Sequence, residues 1–181
     1  MEAETAYAGR LRAVTSAPLP AGFERLFLRE YARVAAIAFR VLGDRDEAED
    51  VAQDAFLSFY RRQDPAASYA APWLHRAAAH LALNAARGGK RRERREAAVG
   101  RESDRAVDPE EEAILAERRA EVRAALARLP RESASLLALR YSGLSYAEVA
   151  SALDIKADQV GTRLRRAQEA FKKEVLDGPA R

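Results

Sequence analysis

The residues whose types and spacing invite chemistry fall into three groups, and none resembles an enzyme's. Between Lys156 and Lys173 stand six basic residues (Lys156, Arg163, Arg165, Arg166, Lys172, Lys173) and two acids (Asp158, Glu169), a net charge of +4. Arginine forks match phosphate oxygens and guanine edges bidentately, so this pattern fits duplex nucleic acid. Gln159 and Thr162 are short enough to reach bases. A solvated charged face on an ordinary helical hairpin fits the same pattern. Between Asp44 and Asp54 the balance reverses: Asp44, Asp46, Glu47, Glu49, Asp50 and Asp54 stand against Arg45 alone, a net of −5. Asp50 and Asp54 lie four apart, on one solvent face with Gln53 and Leu57. Such a cluster either complements the positive end of a helix or docks a basic protein. The third group pairs cations with aromatics. Arg76, His80, Asn84 and Arg87 recur on one stripe. A run of five basic residues and one acid follows at Lys90–Arg95, with Tyr69 and Trp73 just upstream. Rings beside a cationic stripe suit single-stranded or melted nucleic acid, where bases stack and phosphates meet arginine. Trp73 fits a core position equally well.

No paired carboxylates, nucleophile–base set or glycine-rich phosphate loop is present, so no enzyme is expected. The chain has no cysteine, which removes disulfides, zinc thiolates and thiol nucleophiles. His75 and His80 lack a ligating partner at useful spacing, so neither a metal nor another cofactor is expected. The first residues do not read as a signal peptide, and no apolar run approaches the roughly 18 residues of a membrane span. Cytoplasmic localisation without membrane insertion is the expectation.

The elements that must carry these groups are helical. Ala, Arg, Glu and Leu dominate the 181 residues, with 9 Gly and 7 Pro, so an all-α fold is expected. Residues 1–22 read as a loose tail. From Phe23 to Leu42 apolar residues recur every three or four positions, with Glu30 alone out of character. Gly43 closes that helix, and Asp44 caps a second that presents Ala48, Val51, Ala52, Ala55, Phe56 and Phe59 to a core. A loop at 62–71 leads to a third helix entered through Pro72, burying Leu74, Ala77, Ala78, Leu81 and Ala85 and ending near Gly88–Gly89. The three helices form one domain, 23–89. Residues 90–108 read as a flexible charged linker.

Asp108-Pro109 then opens a helix showing Ile114, Leu115, Val122, Leu126 and Leu129, which Pro130 breaks. Short helices follow at Arg131–Ser142 and at Ser145–Leu153, the latter opened by a Ser145/Glu148 capping box. A long helix closes the 109–176 domain from Ala157 to Leu176. The last two helices and the tight turn at Asp154 make a helix-turn-helix pattern with a basic second helix.

Three blocks of this order resemble one family. Asp46-Glu47-Ala48-Glu49-Asp50-Val51-Ala52-Gln53-Asp54-Ala55-Phe56 is similar to the core-binding helix of extracytoplasmic-function sigma factors. Trp73-Leu74-His75-Arg76-Ala77-Ala78-Ala79-His80-Leu81-Ala82-Leu83-Asn84 resembles their promoter-melting helix. Leu139–Ala150 followed by Thr162-Arg163-Leu164-Arg165-Arg166-Ala167 resembles their last domain. The resemblance implies that Asp46, Glu49, Asp50, Gln53, Asp54 and Leu57 bind core RNA polymerase. It implies that Tyr69, Trp73, Arg76, His80, Asn84, Arg87, Arg91 and Arg92 hold the −10 promoter strand. It further implies that Lys156, Asp158, Gln159, Thr162, Arg163, Arg165 and Arg166 meet the −35 duplex. The linker would thread toward the polymerase cleft, leaving a flexible joint between the two DNA readers, and an anti-sigma protein would mask the domains. The chain departs from the family at His80, where Asn is usual, and at Gly161, where a larger side chain is common. Asp154 replaces the usual turn glycine, and the loop at Tyr69 does not align. A stand-alone helix-turn-helix regulator and a protein-binding helical adaptor are the other readings. The first leaves the acidic and Trp73 helices idle, and the second predicts no salt-dependent DNA binding.

Overall fold

The computed structural model describes residues 20–88 and 109–176, with side chains of the second stretch described from Ala113 onward. Among these residues there are seven helices and no strand. The loose tail at 1–19 and the linker at 90–108 lie outside the described residues, as does the reading of a flexible joint.

Helix α1 (Ala21–Leu42) buries Phe23, Leu26, Phe27, Glu30, Tyr31, Val34, Ile37, Ala38, Val41 and Leu42. That three- and four-residue rhythm puts one whole side of the helix in the core. It takes in Ala21 and Gly22, which the sequence had placed in the tail. Gly43 ends it at φ 66°, a left-handed turn that glycine adopts without a Cβ clash. Asp44 then caps α2 (Arg45–Arg62): its Oδ1 accepts from the Glu47 N–H at 3.0 Å. Such a cap contributes about 1 kcal/mol. The rings of Phe23, Phe27, Tyr31 and Phe56 interlock between α1 and α2, with Phe27 and Phe56 edge-on at 4.9 Å.

Helix α3 (Ala70–Arg87) starts two residues before the expected Pro72, which still sits in the first turn. Its buried residues are Ala70, Leu74, His75, Ala78, Ala79, Ala82 and Leu83. The expected Ala77 and Leu81 are half-buried and Ala85 is exposed, so the inward face is rotated from the anticipated one. The reason lies in the neighbours: α3 packs against α1 and α2 on one side and against the C-terminal helices on the other. A helix with alanines all round carries little local information about which side will be covered.

In the second half, α4 (Pro109–Arg128) corrects an expectation. Ile114, Leu115 and Val122 are exposed, and among the helix's described side chains Ala125 and Leu126 are buried, with Leu129 just beyond the helix. The outer turns of α4 project past the helices available to pack on them. After Pro130, α5 (Arg131–Tyr141) buries Ala134 through Leu139 without a break, so it is surrounded by protein. Helix α6 (Tyr146–Leu153) opens on a complete capping box between Ser145 and Glu148. Asp154 ends it in the left-handed region at φ 55°, as the tight turn requires. Helix α7 (Ala157–Leu176) buries only Val160, Leu164 and Ala167, leaving most of its circumference in water.

The two halves pack together, with buried residues continuous from one to the other. Arginines stitch the junction. Arg123 donates to the Leu42 carbonyl at 2.8 Å, and Arg131 to Asn84 Oδ1 at 3.0 Å. Arg87 on α3 donates to the carbonyls of Ala127 and Leu129, both at 3.0 Å, where α4 breaks off. Arg33 on α1 pairs with Glu148 on α6. No helix among the described residues is long and apolar enough to cross a membrane.

Candidate functional site

Helices α6 and α7 meet through the Asp154 turn, with Val149, Ala150, Val160 and Leu164 buried between them. This packing turns the rest of α7 outward. Lys156, Asp158, Gln159, Thr162, Arg165 and Arg166 are all exposed. Arg163 is not in the same position. It is half-buried, ion-paired with Glu132 on α5, and its Nη2 donates to Gln159 Oε1 at 2.9 Å. It therefore braces α7 against α5 while Arg165 and Arg166 stay open to a ligand. At Gly161 a Cβ would lie 3.6 Å from Tyr146 Cε2, an ordinary contact. The Tyr146 ring, itself 44% exposed, occupies the space beside the recognition helix. The Arg140 guanidinium lies over that ring, 5.6 Å from its centroid. Neither Tyr146 nor Arg140 was singled out by sequence. Their only signal is a tyrosine just inside a capping box, which says nothing about a helix turn and fifteen residues away.

The acidic group stands on the outer face of α2. Asp46, Asp50 and Asp54 are exposed, and Glu49, Gln53 and Leu57 are half-buried. Glu49 takes a 3.3 Å ion pair from Arg45. Asp44 is buried and committed to its cap, so it belongs to the fold and not to the surface.

On α3 the anticipated stripe is divided. Trp73 is half-buried, edge-on to Phe59 at 5.5 Å, which favours the core reading of that ring. Its remaining surface lines a shallow cleft with Asp54, Ser58, Arg76 and His80. Burial pushes His80 below the usual histidine pKa, and the charges of Arg131 and Arg76 push it further, which favours the neutral form of the ring. Asn84 and Arg87 are exposed but held by the second half, through Arg131 and through the carbonyls at the end of α4. Tyr69, 48% exposed, stands at the N-terminus of α3. Arg91 and Arg92 lie outside the described residues.

A second pair, invisible in the sequence, lies under this surface. Glu30, the odd member of the α1 face, accepts from Arg29 at 2.8 Å and meets His75 Nε2 at 3.0 Å. Burial alone raises a carboxyl pKa, but the hydrogen bonds from Arg29 and His75 outweigh it and Glu30 is held below its usual value. His75 is lowered, mainly by its own burial.

The described residues are all-helical, with an acidic helix early in the chain and a helix-turn-helix late in it. Residues 26–92 match Sigma-70 region 2, and residues 119–170 match Sigma-70, region 4. An RNA polymerase sigma-H factor of Pseudomonas aeruginosa is 32% identical over 165 residues, 83% of this chain and 84% of that protein. The ECF RNA polymerase sigma factor SigE of Mycolicibacterium smegmatis is 33% identical over 152 residues, 80% of this chain, which spans 58% of that relative's length. The ECF RNA polymerase sigma factor SigW of Bacillus subtilis is 29% identical over 157 residues, 80% of this chain and 84% of that protein. Among solved structures, that of CnrH in complex with the cytosolic domain of CnrY has a similar fold. Its TM-score is 0.53 at 22% identity, over 87% of this chain and 89% of that one. The chain belongs to the sigma-70 family, in its extracytoplasmic-function group.

Proposed function

We propose that the protein binds core RNA polymerase and directs it to promoters, with no chemistry of its own. The outer face of α2, through Asp46, Asp50, Gln53, Asp54 and Leu57, docks on the polymerase. The cleft at Trp73, Arg76 and His80, with Tyr69, Asn84 and Arg87, receives the opened −10 strand. Arg165, Arg166, Thr162 and Gln159 on α7 read the −35 duplex. Residues 23–89 and 109–176 act as the two working units, and the stretch between them threads toward the polymerase active-site cleft. By family resemblance, an anti-sigma protein covers these surfaces until a signal releases them.

The observation that carries this reading is the sorting of opposite charge onto separate exposed faces, carboxylates on α2 and the exposed Arg165 and Arg166 on α7. A negative face repels DNA and suits a basic protein, while the positive one does the reverse. A free-standing duplex reader has no use for the first. The holding of Asn84 and Arg87 by the second half also supports dependence on a partner, because the free chain offers DNA an incomplete −10 surface. The test is in-vitro transcription with core polymerase and a pool of promoters. Polymerase-dependent starts at a defined subset are expected. Tight, sequence-specific duplex binding by the purified chain alone would point to an independent regulator.

A further inference from the structure

The outer side of α1 has no role in any of these contacts, yet it is not an ordinary solvated face. Its centre is apolar: Leu28, Ala32, Ala36 and Phe39 follow one another along the helix, all exposed. Leu28 is 48% and Phe39 47% open to solvent. At a rise of 1.5 Å per residue the two large side chains stand about 16 Å apart, with only alanine methyls between them. One border of this ribbon is basic. The exposed positions of α1 carry four arginines (Arg25, Arg29, Arg33, Arg40) and no carboxylate. Arg33 is taken up by Glu148 and Arg29 by Glu30, which leaves Arg25 and Arg40 toward the two ends of the ribbon.

The shape and charge select the occupant. A second copy of the chain, paired antiparallel about a twofold axis, brings the same edge of each helix together and sets arginine against arginine. Nucleic acid gains nothing from an apolar centre, since its interfaces are polar and cationic throughout. A lipid surface is best held by a helix whose broad apolar side is free to sink. The broad apolar side of α1 is already locked in the core and only this narrow ribbon remains. A helix of another protein fits. The two alanines let its backbone approach closely, Leu28 and Phe39 anchor the ends, and carboxylates on its edge meet the arginine border.

We propose that the outer face of α1 is a docking site for an amphipathic helix of a protein partner, apolar toward Leu28, Ala32, Ala36 and Phe39 and acidic toward Arg25 and Arg40. This is independent of the promoter-directing role.

The probe is a pair of synthetic amphipathic helical peptides with the same leucine face, one edged with Glu and one with Lys, titrated into the ¹⁵N-labelled full-length chain. The Glu-edged peptide is expected to shift the amides of Leu28, Ala32, Ala36 and Phe39, and to bind at least tenfold more tightly than its Lys-edged twin at low salt. The double variant Leu28→Ser/Phe39→Ser should abolish those shifts, and Arg40→Glu should narrow the preference. Equal binding of both peptides, or shifts confined to other helices, overturns the proposal. So does a wild-type dimer in sedimentation that Phe39→Ser dissolves, which would make a second copy the occupant. Binding to phosphatidylglycerol vesicles that the double variant loses would likewise assign the face to lipid and overturn it. The double variant should melt as a folded helical protein and still support transcription with core polymerase. Loss of that transcription would give the face to polymerase instead and overturn the docking proposal, whereas failed peptide binding with transcription intact leaves the proposed function standing.

Discussion

Arg33 on α1 and Glu148 on α6 meet at 2.5 Å, Nη1 to Oε1, across the junction of the two halves of the chain. The same carboxylate accepts from the Ser145 N–H at 2.7 Å to complete the capping box. One side chain thus holds the start of the helix-turn-helix and fastens it to the N-terminal unit. An exposed pair contributes about 1 kcal/mol or less, so it acts with its neighbours Arg131 and Arg123. The double variant Arg33→Ala/Arg131→Ala is expected to enlarge the radius of gyration in small-angle scattering while helical circular dichroism is unchanged. An unaltered scattering curve would show that apolar contact alone closes the junction.

The Glu148 carboxyl is lowered to about 2 by the Ser145 backbone and hydroxyl, with Arg33 adding to the effect. A carboxyl lowered in the folded state stabilises above its unfolded pKa, near 4.5, and that contribution is lost as pH falls toward 2. Acid should therefore loosen the α6 start and the junction together over that interval. Glu148→Gln is expected to flatten the dependence when unfolding is followed from pH 5 to 2.5.

The buried Glu30–His75 pair gives a separate pH signature. The His75 pKa is below 6.5 in the folded protein, so the unfolded chain takes up more protons just beneath that value. Stability should fall as pH drops from about 6.5, a slope that His75→Gln removes. Glu30→Ala, which leaves the histidine buried without its acceptor, is expected to destabilise by about 2–4 kcal/mol, measured by urea unfolding at pH 7.

On the polymerase side, Asp50→Lys/Asp54→Lys should weaken binding to core enzyme by about tenfold or more, roughly 1.4 kcal/mol, with thermal unfolding little changed because both residues are exposed. Competition with a labelled sigma factor measures it.

On the DNA side, Arg165→Ala or Arg166→Ala should cost about 1–3 kcal/mol of −35 binding where the arginine reads a base, and less where it meets phosphate. Arg163→Ala should affect folding stability more than recognition, since that guanidinium is engaged by Glu132 and Gln159. Gly161→Ala should raise stability by about 0.5–1 kcal/mol, as the added methyl only touches the Tyr146 ring. Footprinting of the holoenzyme separates these effects from thermal melts.

What the sequence disclosed was local. The rhythm from Phe23 to Leu42, the Asp44 cap, the Ser145/Glu148 box and the Asp154 turn each depend on residues within four positions, and each stands where the pattern put it. What it concealed depends on partners far along the chain. Glu30 looked misplaced because its hydrogen-bond partner is 45 residues away. Ile114 and Leu115 looked like a packing face because nothing nearby says where the neighbouring helices stop. The Asn84–Arg87 end of α3 looked like open surface because the carbonyls and the arginine that occupy it arrive from beyond residue 120. Exposed charges on α2 and α7 were legible for the converse reason, since a side chain that faces water needs no distant partner.

Arg87 ends α3 with its guanidinium spent on the two backbone oxygens left over where α4 stops. A phosphate that draws this side chain away strips those oxygens of their donors and hands them to water, so the last turn of α4 is weakened at the moment a strand is gripped. On the proposed −10 role of Arg87, capture of a strand and loss of its hold on the end of α4 become one exchange of the same two donors, Nε and Nη2, and the affinity measured for the strand includes the strength of the grip it replaces.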